Sequence, residues 1–104
     1  MSKNDNKSEG IKYDEGKQSW YALPIVILKP LADVFMAGEK KYKTFNCLQP
    51  FREPERRFWN ATIRHLEACQ IDPLAIDDET ECYHAAQAAF NILMRLHHCK
   101  KGRL

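Results

Sequence analysis

Residues 82–99, CYHAAQAAFNILMRLHHC, carry the helical pattern on which the fold class rests. Small and apolar residues recur at three-and-four spacing along one face, and the alanines among them allow another helix to approach closely. That face, which we expect to pack into the core, consists of Cys82, Ala85, Ala86, Ala89, Leu93 and Leu96. Polar residues recur along the neighbouring face, at His84, Gln87, Asn91, Arg95 and His98. The segment is therefore predicted to be a long amphipathic helix.

This helix is predicted to begin upstream of residue 82. Asp77 or Asp78 can cap its N-terminus, with Glu79 and Glu81 in the first turn, where the helix dipole favours carboxylates. We expect the helix to continue to about Cys99.

Two further helices are predicted earlier in the chain. The first covers residues 30 to about 42 and the second residues 54 to about 70, and each begins with a proline, which the first helical turn tolerates. A short helical turn over residues 22–28 precedes them and is stopped by Pro30. No strand or hairpin pattern is present in the sequence. The sequence predicts an all-α fold, a small helical bundle of three main helices plus a short N-terminal helical turn.

The chain has 104 residues, the length of one domain. Residues 1–10 are polar and charged and are predicted to form a disordered arm, residues 11–100 a single domain, and residues 101–104 a basic tail. Trp20 and Tyr21 are expected to anchor the loop before the first helix on the core. Because small helical domains often gain stability by association, we expect a homo-oligomer.

Charge and cysteine content narrow the class of protein. The net charge of +2 provides no strong field for nucleic acid, so no direct binding to duplex nucleic acid is expected. No apolar run is long enough to cross a bilayer, so no membrane partner is expected. The four cysteines form no CxxC pair, which is typical of reduced thiols in a cytosolic protein. We therefore expect a cytoplasmic protein.

Cations and carboxylates occur on successive predicted helices, a combination that a phosphate or metal–phosphate pocket needs. Lys40 and Lys41 end the first helix, Arg64 lies within the second, and Asp77 and Glu79 begin the third. Each also has a purely structural explanation, because the helix dipole favours lysines and carboxylates at these ends and Arg64 can be a surface arginine. The sharper hypothesis is that the cations bind phosphate and the carboxylates bind Mg²⁺.

His84 and Asn91 lie seven residues apart, which is two helical turns, so they share one face. An asparagine amide can pair bidentately with an adenine-like edge, which suits recognition of a base or sugar. A histidine satisfied within the core is the alternative for His84. Tyr42 could stack on a base or belong to the core.

Taken in order, these motifs resemble the dATP/dGTP diphosphohydrolase N-terminal domain family, found in many bacteriophages and related to the MazG-like all-α nucleotide pyrophosphohydrolases. The resemblance spans residues 11–96 and has four parts. A loop and the end of the first helix match at Lys12, Asp14, Gly16 and Lys17, and at Gly38, Lys40, Lys41, Tyr42 and Asn46. The later helices match at Arg64, His65 and Leu66, and at Asp77, Glu79, His84 and Asn91.

The resemblance implies a phage protein of the host cytoplasm that hydrolyses deoxypurine triphosphates with Mg²⁺ to monophosphate and pyrophosphate. It implies a metal site at Asp77 and Glu79. It also implies nucleotide-binding roles for Lys12, Lys17, Lys40, Lys41, Tyr42, Asn46, Arg64, His65, His84 and Asn91.

The chain departs from the family pattern at four places. Leu74 replaces the glutamate of a Glu-x-x-Asp metal-binding spacing, for which Asp72 or Glu67 could substitute. Thr80-Glu81 replaces a Ser-Gly pair, Gln87 a second histidine, and Cys47 a tryptophan. Two other hypotheses therefore stay open. One is a sponge that sequesters a nucleotide or a cyclic-nucleotide immune signal without cleaving it. The other is a helical bundle whose polar face binds a protein partner.

Overall fold

The structure is a computed structural model that describes residues 9–103. Three α-helices make up most of it: α1 (Lys29–Lys41), α2 (Pro54–Ile71) and α3 (His84–Lys100). Short 3₁₀ turns lie before α1, at Trp20–Ala22 and Ile25–Leu28, and between α1 and α2, at Asn46–Leu48. The prediction of an all-α fold with three main helices and a short N-terminal helical turn is confirmed. In the described part of the chain, no helix is long and apolar enough to cross a membrane.

Two predictions concern segments that lie partly outside the described residues, and there they stay predictions. Most of the arm predicted at residues 1–10 lies outside the described range, as does Leu104 at the end of the basic tail.

The helices α1 and α2 begin and end within about one residue of the predicted positions. Proline starts both helices, and α2 ends just before Asp72-Pro73, since a residue before proline avoids helical backbone angles.

The helix α3 is the central element. The helix α2 packs along it and α1 packs against a shorter part of it, whereas α1 and α2 do not contact each other within residues 9–103. The buried apolar cluster of Val34, Cys82 and Ala86, flanked by Ala37 and Phe90, joins α1 to the start of α3. The rings of Phe35 and Phe90 meet edge to face, with centroids 5.0 Å apart. The inner face of α3 therefore carries both helix contacts.

The prediction that the third helix begins at Asp77 or Asp78 is wrong. This helix begins at His84, and residues 77–81 form a closed turn that we call the acidic turn. The N–H of Asp77 donates to the Cys82 carbonyl at 2.9 Å, and the Glu81 N–H donates to the Asp77 carbonyl at 2.7 Å. Glu81 has a φ of 61°, in the left-handed region, which a right-handed helix cannot accommodate. The carboxylates therefore do not cap α3.

The predicted core face of the third helix is correct at Cys82 and Ala86, which are buried, and wrong at its other four residues. Leu93 and Leu96 are 42% and 55% exposed, and Ala85 and Ala89 are exposed as well. The buried residues of the helix are Ala86, Gln87, Ala88, Asn91, Met94 and His98. Polar side chains can occupy this inner face because they are hydrogen-bonded there, as when the Asn91 Nδ2 donates to the Gln87 carbonyl at 2.8 Å. The apolar face of α3 is instead left on the outside of a single chain.

His98 is the most completely buried side chain of the described residues, with none of its surface exposed. Its Nε2 lies 3.0 Å from the Cys47 carbonyl, and Arg103 Nη1 lies 3.0 Å from its Nδ1. A neutral ring with the proton on Nε2 donates to the carbonyl and accepts from the guanidinium, so one tautomer satisfies both contacts. The ring also stacks on Phe58 at a centroid distance of 5.3 Å. His98 thus ties the loop before α2 to the end of α3.

The single chain is extended. Its Cα radius of gyration is 18.9 Å, whereas a compact domain of this length has about 13 Å. Trp20 and Tyr21, expected to anchor the N-terminal loop on the core, are exposed. Apolar residues before α1, including Ile25, Val26 and Ile27, are exposed too. The described residues therefore bury much less apolar surface than a self-sufficient domain of this size.

Candidate functional site

A cleft with a volume of about 420 Å³ opens between the end of α1, the loop that follows it, the acidic turn and the inner face of α3. Its aromatic lining consists of Phe35, Phe45, Phe51, Phe58 and Phe90. Its polar lining consists of the cations Lys41, Lys43 and Arg57, the carboxylates Glu39, Asp77 and Glu79, and the amides Asn46, Gln87 and Asn91. The volume of the cleft and its mixture of apolar and polar lining groups are typical of small-molecule sites.

Phe45 shows how the loop after α1 is shaped around this cleft. Its φ is 64°, in the left-handed region, which is uncommon for a bulky residue. Such backbone strain persists only where the surrounding structure requires it, and it concentrates at functional sites. Phe45 immediately precedes the 3₁₀ turn Asn46–Leu48, which brings Asn46 and Cys47 to the cleft wall.

The end of α1 is joined to the acidic turn by an ion pair across the cleft. Lys41 Nζ lies 3.0 Å from Glu79 Oε2, and the hydrogen bond to Glu79 raises the pKa of Lys41. Both side chains are more than half exposed, at 56% and 72%. An exposed pair of this kind contributes little to stability, so either partner can be exchanged for a ligand group at little cost.

Asp77 is held in one orientation by two donors. The Glu79 N–H donates to its Oδ1 at 2.8 Å, and the amide of the buried Gln87 donates to its Oδ2 at 3.1 Å. Partial burial raises the pKa of Asp77, but these hydrogen bonds and the neighbouring His84 and His65 lower it by more, so the pKa is below its ordinary value. Asp77 is therefore an ionised and oriented carboxylate.

Two histidines face each other beside this carboxylate. The Nδ1 atoms of His65 in α2 and His84 at the start of α3 are 2.8 Å apart, so one ring donates to the other. Burial lowers the pKa of His65, and the adjacent His84 lowers it further. One ligand atom from each histidine and from Asp77 lies within 4.8 Å of the other two, a separation that a bound metal ion could bridge.

A family model described as "dATP/dGTP diphosphohydrolase, N-terminal" matches residues 7–104. The chain belongs to this family. Comparisons with curated proteins and with solved structures found no match. The resemblance to the dATP/dGTP diphosphohydrolase N-terminal family is thereby confirmed over nearly the whole chain.

Six of the residues that the family resemblance implied lie on the cleft wall. They are Lys41, Tyr42, Asn46, Asp77, Glu79 and Asn91. The other six do not line it: Lys12, Lys17, Lys40, Arg64, His65 and His84. Lys12 and Lys17 lie in the exposed N-terminal segment, and Arg64 is exposed on α2. His65 and His84 do not line the cavity, but each has a ligand atom within 4.8 Å of one from Asp77, which does.

Several cleft residues were missed by sequence reasoning. Lys43 and Arg57 supply two of the three cations, and Gln87 supplies the amide that orients Asp77. Gln87 did carry a signal, because it lies on the polar face of α3 together with Asn91. Arg57 lies seven residues before Arg64 on α2, and nothing in their spacing tells which of the two faces a ligand.

The carboxylates suggested as replacements for the family's missing glutamate do not reach the cleft. Leu74, which occupies that position, is exposed, and Asp72 Oδ1 accepts the Leu74 N–H at 3.0 Å within its own loop. Neither Asp72 nor Glu67 lines the cavity. The acidic set of the cleft is therefore Glu39, Asp77 and Glu79, with no carboxylate at the position of the family's glutamate.

Proposed function

We propose that the cleft binds a deoxypurine nucleoside triphosphate and hydrolyses it between the α- and β-phosphates. Water adds to the α-phosphorus, the bond from that phosphorus to the bridging oxygen breaks, and a monophosphate and pyrophosphate leave. The observation that carries this proposal is that three cations, three carboxylates and five phenylalanines line one cavity. Membership of the dATP/dGTP diphosphohydrolase family supports the same class of substrate.

The phosphates would lie against Lys41, Lys43 and Arg57. Charge-assisted hydrogen bonds from such side chains to phosphate oxygens are roughly twice as strong as neutral ones. Arg57 can contact two oxygens at once through its planar guanidinium, whereas the lysines act as point charges. Lys41 would exchange Glu79 for a phosphate oxygen, which leaves the Glu79 carboxylate available for a cation.

The cleft carboxylates fit Mg²⁺, the cofactor that the family resemblance implies. Mg²⁺ takes oxygen ligands and is usually held by one or two carboxylates together with substrate phosphates. Asp77 and Glu79 offer those oxygens from one turn, and Glu39 faces them from the end of α1. When bound, the cation would neutralise the triphosphate charge and stabilise the charge that develops at the reacting phosphorus.

The base would lie against the phenylalanine rings of the cleft. Rings such as Phe45, Phe51 and Phe90 provide stacking surface, and stacking of one base on an aromatic side chain contributes about 1–3 kcal/mol. Asn91 has one amide hydrogen bonded to the Gln87 carbonyl, which leaves its Oδ1 and its second amide hydrogen for a base edge. Asn46 lines the same cavity from the loop after α1.

A sponge that binds a nucleotide or cyclic-nucleotide signal without cleaving it is the second candidate function. The observation that favours it is the substitution at Leu74, which leaves the acidic set without the family's glutamate, while the cations remain in the cleft. A phage could use such a protein against host immune signalling. The phosphate contacts expected for Lys41, Lys43 and Arg57 are the same in both functions.

Glu79→Gln is expected to lower turnover of dATP and dGTP by at least about 100-fold in saturating Mg²⁺, in line with the loss of one charge-stabilising group from an active site. Separation of monophosphate and pyrophosphate by chromatography measures the reaction, with all four deoxynucleotides, ribonucleotides and cyclic nucleotides as substrates. Glu81→Gln is the matched control, because Glu81 belongs to the same turn but does not line the cleft. Thermal stabilisation by a ligand that is recovered intact would replace the hydrolase with the sponge, and no stabilisation by any nucleotide would reject both.

We further propose that the protein is a homo-oligomer in which a second copy covers the outer face of α3. This face presents Ala85, Ala89, Ile92, Leu93 and Leu96. The radius of gyration and the exposed apolar segment before α1 both indicate that apolar surface is left for another chain to bury. An interface of this kind is self-complementary when two copies are related by a two-fold axis.

Leu93→Glu combined with Leu96→Glu is expected to convert the oligomer into a monomer of about the chain mass of 12.2 kDa, because four charges across a two-fold interface repel. Light scattering after size exclusion measures the mass of both proteins. Lys100→Glu, an exposed change on the same helix, should leave the assembly intact. A wild-type protein that is already monomeric would contradict the proposal.

A further inference from the structure

We propose that His65, His84 and Asp77 form a binding site for a transition-metal dication of the zinc, cobalt or manganese class. The site shares Asp77 with the Mg²⁺ site expected for the nucleotide but adds two imidazole ligands, and its existence does not depend on the proposed hydrolase activity. Among the described residues this is the one cluster of potential ligands whose donor atoms converge, all within 4.8 Å of one another.

The donor set favours a transition metal over Mg²⁺. Two imidazole nitrogens and one carboxylate oxygen suit zinc, cobalt, nickel and iron, whereas Mg²⁺ prefers oxygen ligands alone. The three ligands come from three separate segments: α2, the acidic turn and the first residue of α3. A metal there would join these segments, so its binding energy would add to the stability of the fold.

The geometry needs only a small adjustment to accept the ion. The two facing Nδ1 atoms are 2.8 Å apart, while two nitrogens on a tetrahedral zinc ion lie about 3.3 Å from each other. A rotation of either ring opens that distance, and the proton shared between the rings is displaced when the metal binds. The half-buried position of all three ligands limits competition from water.

Asp77 is already held as a metal ligand would be. Its Oδ1 accepts the Glu79 N–H and its Oδ2 accepts the Gln87 amide, and each oxygen keeps a further lone pair. Hydrogen bonds of this kind orient the ligands of metal sites. Gln87 is only 6% exposed, so its amide is fixed in place. We therefore assign Gln87 as a positioning residue for the metal site.

The site would keep an open position next to the cleft. Three protein ligands leave at least one coordination position of a tetrahedral ion for water or for a substrate group, as in catalytic zinc sites. Asp77 lines the cleft while the histidines lie behind it, so the metal would border the cavity from the inner side.

The test uses the full chain, stripped with a chelator and free of nucleotide. Titration with Co²⁺, followed by visible absorption, is expected to show one bound equivalent that Zn²⁺ displaces. His65→Gln and His84→Gln should each lower the Co²⁺ affinity at least tenfold, and Gln87→Ala about 10–100-fold, the range typical of residues that orient metal ligands. The double variant His97→Gln with Cys99→Ser is the matched control, because it removes the half-buried His97 and the exposed Cys99, donors near the C-terminus outside the proposed site, and should change nothing.

A second measurement does not depend on a variant that may unfold. Nitrogen–proton NMR of the wild-type histidine rings should show that Zn²⁺ shifts the signals of His65 and His84 and leaves those of His97 and His98 in place. No binding at tens of micromolar metal, or affinity that is lost only in the control variant, would overturn the proposal. Since no nucleotide is present, either result leaves the proposed hydrolase activity untouched.

Discussion

Arg57→Ala and Lys41→Ala are each expected to lower the affinity for a nucleoside triphosphate by about 10- to 150-fold. This range corresponds to the loss of a charged hydrogen bond, which contributes about 1.5–3 kcal/mol. Both side chains line the cleft, and among the described residues no other arginine does. Isothermal calorimetry without added metal measures the binding step apart from catalysis, and it applies equally to a hydrolase and to a sponge.

Each substitution has a matched control on the same helix. Arg64 is exposed on α2, seven residues after Arg57, and Lys40 is exposed on α1 beside Lys41; neither lines the cleft. Arg64→Ala and Lys40→Ala should therefore change the affinity by no more than about twofold, the effect of ordinary surface substitutions. A large loss for Arg64→Ala with none for Arg57→Ala would move the phosphates two helical turns along α2, to Arg64, and reject the cleft as the site.

His98→Ala is expected to lower the free energy of unfolding by about 2–5 kcal/mol, a large part of the stability of a small protein. The change leaves a cavity against Phe58 and Phe51, and it removes the donor for the Cys47 carbonyl and the acceptor for Arg103. A carbonyl left unpaired in the interior adds its own desolvation cost. Urea denaturation at one fixed protein concentration measures the loss, since association also contributes to stability.

Two further variants separate the causes of that loss. His97→Ala changes the neighbouring histidine, which is only half-buried, and should cost less than about 1 kcal/mol. His98→Phe fills most of the volume but makes neither hydrogen bond, so it should fall between the wild type and His98→Ala. Equal stability of His98→Ala and the wild type would show that the loop before α2 does not depend on this histidine.

The helices α1 and α2 were predictable because their signals are local. Proline marks the start of each, and the apolar spacing follows the helix period over its whole length. The start of α3 was not predictable in the same way. The acidic turn satisfies its own backbone through Asp77 and Thr80, whose side chains accept the N–H groups of Glu79 and Cys82. A turn closed by such side chains has the same composition as a helix cap.

The inner face of α3 could not be predicted from hydrophobic spacing. Hydrophobic spacing predicts the buried face because unpaired polar groups are costly to bury. Here Gln87, Asn91 and His98 are buried and bonded to Asp77, to the Gln87 carbonyl and to the Cys47 carbonyl. Asp77 lies in a turn ten residues before Gln87, and Cys47 lies 51 residues before His98. Both partners are beyond the span of a helical repeat, so the periodicity of α3 could not reveal that its polar face points inward.

The sequence by itself determined the helical class, the limits of the first two helices and the family, and half of the site residues that it predicted line the cleft. Local sequence signals were sufficient for these features, because each signal depends on residue types close together in the chain. Only the tertiary structure decided that Arg57 rather than Arg64 faces the cavity, that Asp77 is oriented by Gln87, and that His65 meets His84 across two helices. Arg57 and Arg64 share one face of α2, so their difference depends on where along the helix the cleft lies, and the other two facts depend on how α2 and the acidic turn pack against α3. No local signal in the sequence fixes that packing.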